Sequence, residues 1–230
     1  YKRGIRKGDR IGVCLVNTPE AAFTLYALDK IGAEIIGLSP LNNKYKMQRD
    51  IEMTRPKMII TVDQLYKKSK KACHTMDISP IIYSPISSID DERIKKLYNL
   101  QQTIIGNRKF GNNHSLEKVV ENGKDYFYEE QKYTPGELSD VIFTGGSTGV
   151  HKGVMLTSDG LNGVVQGVDD VFILEPGMKH LGNIPFGHMV FGRFVLHYVL
   201  AKNMEYALTL NAFPNEFVSE IIKKQVDGAM

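Results

Sequence analysis

The apolar positions of this chain alternate between short β-branched runs and longer stretches with helical spacing. Residues 10–16 form an apolar run that predicts a buried strand. Residues 18–20 (Thr-Pro-Glu) then predict a helix start, because threonine caps it, proline suits the first helical position and an acid favours the first turn. Gly32 is expected to end this helix before a second strand at residues 34–38.

The same alternation of strand and helix continues along the chain. Further helices are predicted at residues 44–53 and 63–76, and strands at 57–62 and 78–83. Later helices are predicted at 159–171, 188–202 and 215–224, and strands at 180–185 and 204–210. Repeated alternation favours an α/β fold of βαβ units, in which mainly parallel sheets are covered by helices on both faces.

The pattern is weakest in residues 84–135. Short helices are predicted from about residue 90 and at residues 115–122, with a loop at 106–113 between them. We therefore expect a seam in this region. It would divide the chain into two pseudo-equivalent α/β halves, residues 1–135 and residues 136–230, each with its own sheet.

The most informative stretch is residues 141–157, which read VIFTGGSTGVHKGVMLT. An apolar run leads into a loop of glycines and hydroxyl side chains, and a lysine follows closely. Glycines let backbone N–H groups surround an anion, hydroxyls add donors and an ammonium adds a charge-assisted bond, so the loop suits phosphate. The predicted phosphate-binding residues are Thr144, Gly145, Gly146, Ser147, Thr148, Gly149 and Lys152.

Spacing excludes two well-known phosphate loops. The P-loop needs Gly-Lys-Ser/Thr, whereas Lys152 lies between His151 and Gly153. The dinucleotide fingerprint needs Gly-x-Gly, whereas Gly145 and Gly146 are adjacent.

Both of those loops lead into a helix, but residues 153–157 predict a second strand. We therefore expect a strand–loop–strand hairpin, followed by a helix with Ser158 or Asp159 as its N-cap. The alternative is a glycine-rich turn with no ligand.

The stretch resembles the signature loop of the adenylate-forming superfamily, which includes acyl-CoA synthetases, peptide-synthetase adenylation domains and luciferases. The family loop reads approximately T-S/G-G-S/T-T-G-x-P-K-G. This chain matches it from Thr144 to Gly153, except that His151 stands where proline is usual. Residues 4–40 resemble the family's early βαβ unit, and residues 184–192 (IPFGHMVFG) resemble its L-P-x-x-H-x-x-G segment.

The resemblance implies the large N-terminal domain of an ATP-dependent, AMP-forming ligase. Such an enzyme activates a carboxylic acid as an acyl-adenylate and passes the acyl group to a thiol, usually coenzyme A. It implies catalytic roles for Lys152 and His188 and phosphate contacts from the loop. An acyl-CoA synthetase is favoured, because residues 184–188 look more like the synthetases' segment. The alternatives are a peptide-synthetase or amino-acid-activating domain, or a noncatalytic binding protein that retains this half-fold.

The same resemblance implies that the chain is an N-terminal fragment. The family's Y-G-x-T-E segment, whose glutamate serves Mg²⁺, is not found, nor is its T-G-D segment for ribose. The C-terminal lid with its catalytic lysine is also not found. We therefore expect Mg²⁺ to be bound mainly by residues outside this chain, no metal site within it, and an isolated chain that is inactive.

Composition changes this interpretation little. The shares of hydrophobic residues (42%) and charged residues (24%) are ordinary for a globular protein. A net charge of +3 spread over this length does not favour nucleic acid or an anionic membrane, and the basic residues 67–71 are interpreted as a solvated helix face. Cys14 and Cys73 make no metal spacing, and no apolar run reaches transmembrane length, so a cytoplasmic enzyme is expected.

Overall fold

The computed structural model describes residues 1–76, 78–83, 92–104, 114–145, 152–169, 174–209 and 216–229. Its strands are β1 (Arg10–Cys14), β2 (Glu34–Gly37), β3 (Met58–Val62), β4 (Ile81–Tyr83), β5 (Leu138–Thr144), β6 (Lys152–Thr157), β7 (Lys179–Gly182) and β8 (Glu205–Leu208). Its helices are α1 (Pro19–Lys30), α2 (Lys44–Thr54), α3 (Tyr66–Ala72), α4 (Glu92–Ile104), α5 (Leu116–Glu121), α6 (Ser158–Asp169), α7 (Val190–Ala201) and α8 (Phe217–Lys224).

A six-stranded sheet with the order β4-β3-β1-β2-β5-β6 forms the centre of the molecule. Its first five strands pair in parallel, and β6 at the edge runs antiparallel to β5. Strands β7 and β8 pair in parallel as a separate two-stranded sheet. The prediction of an α/β fold with mainly parallel sheets is confirmed.

The main sheet crosses the expected seam between the two halves. Strands β5 and β6 follow residue 135, yet β5 pairs with β2 through Ile36 and Val141. The expectation that each half builds its own sheet is therefore wrong for these two strands. The reason is that hydrophobic alternation predicts which face of a strand is buried but not which strand lies beside it. The division of the chain into domains at residue 135 stays a prediction.

Helices cover both faces of the main sheet. Leu25 and Leu28 of α1 pack on one face, whereas Met47 and Ile51 of α2 and Ala72 of α3 pack on the other. The strand residues follow the two-residue period that this arrangement requires. Within β1 the cluster under α1 contains Ile11 and Val13, and the cluster under α2 and α3 contains Cys14.

Several element ends differ from the predicted ones. The helix predicted at 63–76 divides into a 3-10 turn, Asp63–Leu65, followed by α3. The strand predicted at 78–83 is shorter, because only Ile81–Tyr83 pairs with β3. Helix α7 begins at Val190 instead of residue 188.

The cap of α6 is also one residue away from the predicted one. The Gly160 N–H donates to Thr157 Oγ1 at 3.1 Å, so Thr157 has the capping role expected for Ser158 or Asp159. The Asp159 carboxylate instead accepts hydrogen bonds from the Tyr133 hydroxyl and the Gly136 N–H. A tertiary contact has therefore displaced a local one.

A buried ion network joins α1, β5 and α7. The Arg193 side chain is 1% exposed, and its Nη2 donates to Asp29 Oδ2 at 2.6 Å while its Nε donates to Asp140 Oδ1 at 3.2 Å. Ser139 Oγ donates to Asp140 Oδ2 at 2.6 Å. Burial alone would lower the pKa of Arg193, but the carboxylates of Asp140 and Asp29 raise it above its ordinary value, so the guanidinium stays charged.

The network extends to α6 through Tyr26 and His197. The Arg193 guanidinium lies 5.3 Å from the centre of the Tyr26 ring. The Tyr26 hydroxyl and His197 Nδ1 are 3.0 Å apart, and His197 Nε2 lies 2.9 Å from Asn162 Oδ1. A neutral imidazole with its proton on Nε2 satisfies both contacts, because Nδ1 accepts from the Tyr26 hydroxyl and Nε2 donates to Asn162 Oδ1. Burial lowers the pKa of His197, which also favours the neutral imidazole.

Removal of Arg193 should be strongly destabilising. The change Arg193→Ala leaves the Asp140 carboxylate, whose side chain is 2% exposed, as a buried charge without its cation. We expect a loss of about 3–5 kcal/mol in the free energy of unfolding, measured by urea denaturation. Arg193→Met combined with Asp29→Asn and Asp140→Asn should recover much of this loss, because no uncompensated charge then remains.

The matched control is Arg10→Ala, which removes a half-exposed ion pair with Glu34. This change should cost about 1 kcal/mol or less. Equal losses in Arg193→Ala and Arg10→Ala would contradict the structural importance of the network.

Candidate functional site

The predicted phosphate-binding stretch connects β5 to β6, which pair as an antiparallel hairpin. Thr144 pairs with Lys152 as the last rung of the antiparallel ladder, so the connecting loop leaves the sheet at the carboxyl end of β5. The predicted strand–loop–strand arrangement is confirmed at this level. Gly146, Ser147, Thr148, Gly149 and His151 lie outside the described residues.

The two ends of the loop are open to solvent. Thr144, Gly145 and Lys152 are all exposed, and a Cβ atom built on Gly145 would meet nothing within 4 Å. The Lys152 ammonium has no ion-pair partner among the described residues. A cation that is not neutralised locally is available to an anion bound by the loop.

Gly153 has a packing reason that is separate from phosphate binding. A Cβ atom at this position would lie 2.9 Å from Val141 Cγ1 on the neighbouring strand. A larger residue would therefore force β6 away from β5 and move Lys152, which is the preceding residue. The glycine after the lysine thus fixes the spacing of the two strands at the turn end of the hairpin.

The segment that contains His188 lies across the carboxyl ends of β1 and β2. A Cβ atom on Gly37 at the end of β2 would be 3.0 Å from the Gly187 carbonyl oxygen and 3.1 Å from His188 Cα. The next strand along is β5, because Gly37 pairs with Ile142. The structure therefore brings His188 and the two ends of the glycine loop, Gly145 and Lys152, to the same edge of the sheet, where ligands of parallel α/β sheets usually bind.

Asn17 holds this segment in place. Its side-chain Nδ2 donates to the carbonyl oxygens of Gly182 at 3.1 Å and Ile184 at 2.9 Å, and its Oδ1 accepts from the Phe186 N–H at 3.2 Å. Sequence reasoning missed Asn17, because an asparagine before Thr-Pro indicates only a turn. Gly37 was missed for a similar reason, since nothing in the sequence shows what approaches it.

His188 is buried and neutral at this edge. It lies in the turn before α7, it is 8% exposed, and burial lowers its pKa to about 4. Its Nδ1 has no hydrogen-bond partner among the described residues. A neutral imidazole can donate or accept a hydrogen bond, but it cannot offset phosphate charge at pH 7. Of the two predicted catalytic residues, only Lys152 can supply positive charge.

A cavity of about 1240 Å³ lies elsewhere, between α1 and α5. Its lining includes Ile11, Ile60 and Ile81 on the sheet face that α1 covers, and it follows α1 from Glu20 to Lys30. None of Thr144, Gly145, Lys152 and His188 lines this cavity, so it is not part of the candidate site.

The described part of the chain holds no group of three or more His, Cys, Asp or Glu side chains that could bind a metal ion. Its helices are likewise all too short or too polar to cross a membrane.

The buried His188 should make stability depend on pH. In the unfolded chain His188 takes up a proton near its ordinary pKa of 6.5, whereas in the folded chain it does so only near about 4. The contribution of the neutral His188 to the unfolding free energy is therefore complete above pH 6.5 and is lost as the pH falls from 6.5 towards about 4. Between pH 7 and about pH 5, wild type should lose roughly 2 kcal/mol more unfolding free energy than His188→Gln. Urea denaturation at both pH values measures this difference.

His74→Gln is the control, because His74 is an exposed histidine in the turn after α3. That variant should keep the wild-type pH dependence. Equal pH dependence in wild type and His188→Gln would contradict the burial of a neutral ring.

The chain is similar in sequence and in fold to several known enzymes. The long-chain-fatty-acid–CoA ligase of Bacillus subtilis (strain 168) is 26% identical over 226 residues, which cover 96% of this chain and 40% of that protein. An acetyl-coenzyme A synthetase of Methylorubrum extorquens (strain PA1) is 30% identical over 174 residues, which cover 69% of this chain and 24% of that protein. The crystal structure of a long-chain-fatty-acid-CoA ligase from Archaeoglobus fulgidus matches the fold with a TM-score of 0.77 at 20% identity, covering 99% of this chain and 40% of that one.

These relatives are much longer than this chain, which spans 40% or less of their length. A family model described as AMP-binding enzyme matches residues 1–225, and this match includes both the β5–β6 hairpin and the segment that contains His188. The chain belongs to the family of AMP-binding enzymes.

Proposed function

We propose that this chain is the phosphate-binding part of an ATP-dependent, AMP-forming acid–thiol ligase. The observation that carries the proposal is the β5–β6 hairpin, which has Gly145 at one end of its loop and Lys152, without an ion-pair partner among the described residues, at the other. The loop of the hairpin begins at the carboxyl edge of a parallel sheet, where ligands usually bind. Because the chain belongs to the AMP-binding family, we propose that the ligand of this loop is an adenine nucleotide.

The proposed reaction has two steps. An oxygen of the substrate carboxylate attacks the α-phosphorus of ATP, and the bond from that phosphorus to the bridging oxygen breaks, so pyrophosphate departs with the electron pair. A thiol sulfur, from coenzyme A, then attacks the carbonyl carbon of the acyl-adenylate, and AMP departs. The second step forms a thioester and releases the thiol proton.

The loop contributes positioning and charge to the first step. Lys152 would offset the negative charge that develops on the departing pyrophosphate, and the loop amides with the hydroxyls of Thr144, Ser147 and Thr148 would hold phosphate oxygens. His188 would act as a neutral hydrogen-bonding group at the neighbouring strand end, because its lowered pKa keeps it uncharged. Mg²⁺, when bound, would offset the negative charge of the ATP phosphates, and we assign its ligands to parts of the enzyme outside this chain.

We propose a fatty acid as the carboxylate. The relative named long-chain-fatty-acid–CoA ligase aligns over 96% of this chain, whereas the acetyl-coenzyme A synthetase aligns over 69%. A reducing compartment such as the cytoplasm fits the two cysteines, Cys14 and Cys73, which are both free and buried. Because the chain spans 40% of the first of these relatives, we assign the complete reaction to a longer polypeptide.

The variant Lys152→Ala tests the role of the loop lysine in nucleotide binding. The loss of a charge-assisted contact of about 1.5–3 kcal/mol should weaken binding of ATP to the chain by about 10- to 150-fold. Isothermal titration calorimetry measures this affinity, and urea denaturation should show almost unchanged stability because Lys152 is exposed.

The matched control is Lys132→Ala, another exposed lysine of the same chain, which should leave ATP affinity unchanged. Equal affinity for ATP in wild type and Lys152→Ala would rule out the assignment of the hairpin as a phosphate site.

The 230-residue chain should not complete the adenylation step alone. We expect it to catalyse no exchange of labelled pyrophosphate into ATP above a protein-free control with fatty, aromatic or amino acids as substrates. Clear exchange in this assay would overturn the assignment of essential groups to parts of the enzyme outside this chain.

A further inference from the structure

Helices α2 and α3 form a single outer layer on one face of the main sheet. Both contribute to the same buried cluster, through Met47 and Ile51 from α2 and Ala72 from α3. Thr75, just after α3, donates a hydrogen bond to Glu52 of α2 at 3.1 Å. The outward side chains of the two helices therefore share one solvent-facing surface, which we call the α2–α3 surface.

Positive charge is concentrated on the α2–α3 surface. Residues 44–71 contain nine Lys and Arg but only three Asp and Glu, a net charge of +6, whereas the whole chain carries +3. Two of those acids, Asp50 and Asp63, are buried, which leaves Glu52 as the exposed one in this range. The exposed basic side chains of the surface are Lys44, Lys46, Arg49, Arg55, Lys67, Lys70 and Lys71.

Exposed apolar side chains accompany these cations. Leu41 is 87% exposed and Tyr45 is 70% exposed, and both lie where the chain enters α2. The Lys44 ammonium lies 4.7 Å from the centre of the Tyr45 ring. A leucine and a tyrosine this exposed, among cations, form the combination of apolar and basic groups that binds at a membrane interface.

The segment that presents Leu41 is anchored. The Lys68 ammonium donates to the carbonyl oxygens of Pro40 and Asn42, and the Asn42 side chain donates to Asp50 at 3.1 Å. The interpretation of residues 67–71 as a solvated helix face is therefore wrong for Lys68, which is part of this anchor. Leu41 points into solvent from a fixed backbone, so its exposure is a property of the fold.

We propose that the α2–α3 surface binds an anionic lipid bilayer, with Leu41 and Tyr45 entering the interface and the basic side chains against the headgroups. Charge complementarity supplies the attraction, which amounts to a several-fold gain in binding for each cation near an anionic membrane. A nucleic acid would also attract these cations, but contact with its phosphates would leave the exposed Leu41 without an apolar partner. A bilayer satisfies both features at once.

Flotation with lipid vesicles tests this proposal. The folded full chain should bind phosphatidylcholine vesicles that contain about one third phosphatidylserine and should not bind phosphatidylcholine alone. Binding should weaken strongly when salt is raised from about 0.1 M to about 1 M, because the Debye length falls from about 10 Å to about 3 Å.

Two triple variants with the same net charge distinguish binding by the α2–α3 surface from a general effect of net charge. The combination Lys46→Gln, Arg49→Gln and Lys71→Gln should weaken vesicle binding by about 100-fold. The combination Lys124→Gln, Lys132→Gln and Lys223→Gln removes three exposed lysines elsewhere and should weaken it far less. Leu41→Ser should weaken binding by about tenfold without changing its salt dependence, because it removes an apolar contact and no charge.

Circular dichroism establishes that each variant is folded before the comparison. The proposal is overturned if wild type does not float with the anionic vesicles, if it floats equally with neutral ones, or if both triple variants lose binding equally. It is also overturned in favour of a nucleic-acid surface if a short RNA or DNA duplex binds tighter than the vesicles and the first triple variant abolishes that binding.

Discussion

A single buried cation links the elements that carry the candidate site. Arg193 in α7 bonds to Asp29 in α1 and to Asp140 in β5, three positions far apart in the sequence. Strand β5 continues directly into the glycine loop, and the turn before α7 contains His188. Apolar side chains of similar size would often give equal or greater stability, so the value of such a network lies in geometry. The paired carboxylates hold α7 to α1 and to β5 at fixed polar atoms, in addition to the apolar packing of α7.

Close backbone approach is the second constraint at this edge. Gly37 lets the turn at Gly187 and His188 lie directly on the end of β2, and Gly192 lets α7 begin against the Pro185 carbonyl, where a Cβ atom would come within 2.4 Å. Asn17 then replaces the hydrogen bonds that this irregular segment would otherwise lack. The two glycines therefore make room for this irregular segment, and the Asn17 amide satisfies backbone groups that strand pairing satisfies elsewhere in the sheet.

Hydrophobic periodicity predicted most of the helices and strands, but it did not predict which of them lie side by side. The cap at Thr18 and the proline after it located α1 within a residue, because capping is a local property. The pairing of β5 with β2 depends on contacts between distant residues, and no pattern within either strand encodes it. The same limit explains Asp159, whose local tendency to cap gave way to contacts with Tyr133 and Gly136. For the site, motif spacing located the hairpin, whereas the burial of His188 could be seen only in the three-dimensional structure.

The distribution of charge shows most clearly what composition cannot reveal. A net charge of +3 argues against an anionic partner only if charges are spread evenly, and folding separates them here. Two of the three acids within residues 44–71 are buried, where Asp50 accepts from Asn42 and Asp63 accepts from Tyr98. Except for Lys68, the lysines of α2 and α3 are exposed. Burial takes those carboxylates off the exposed surface without changing the net charge of the chain. The quantity that a partner senses is therefore the charge of a surface, and the α2–α3 surface is strongly basic although the net charge of the chain is only +3.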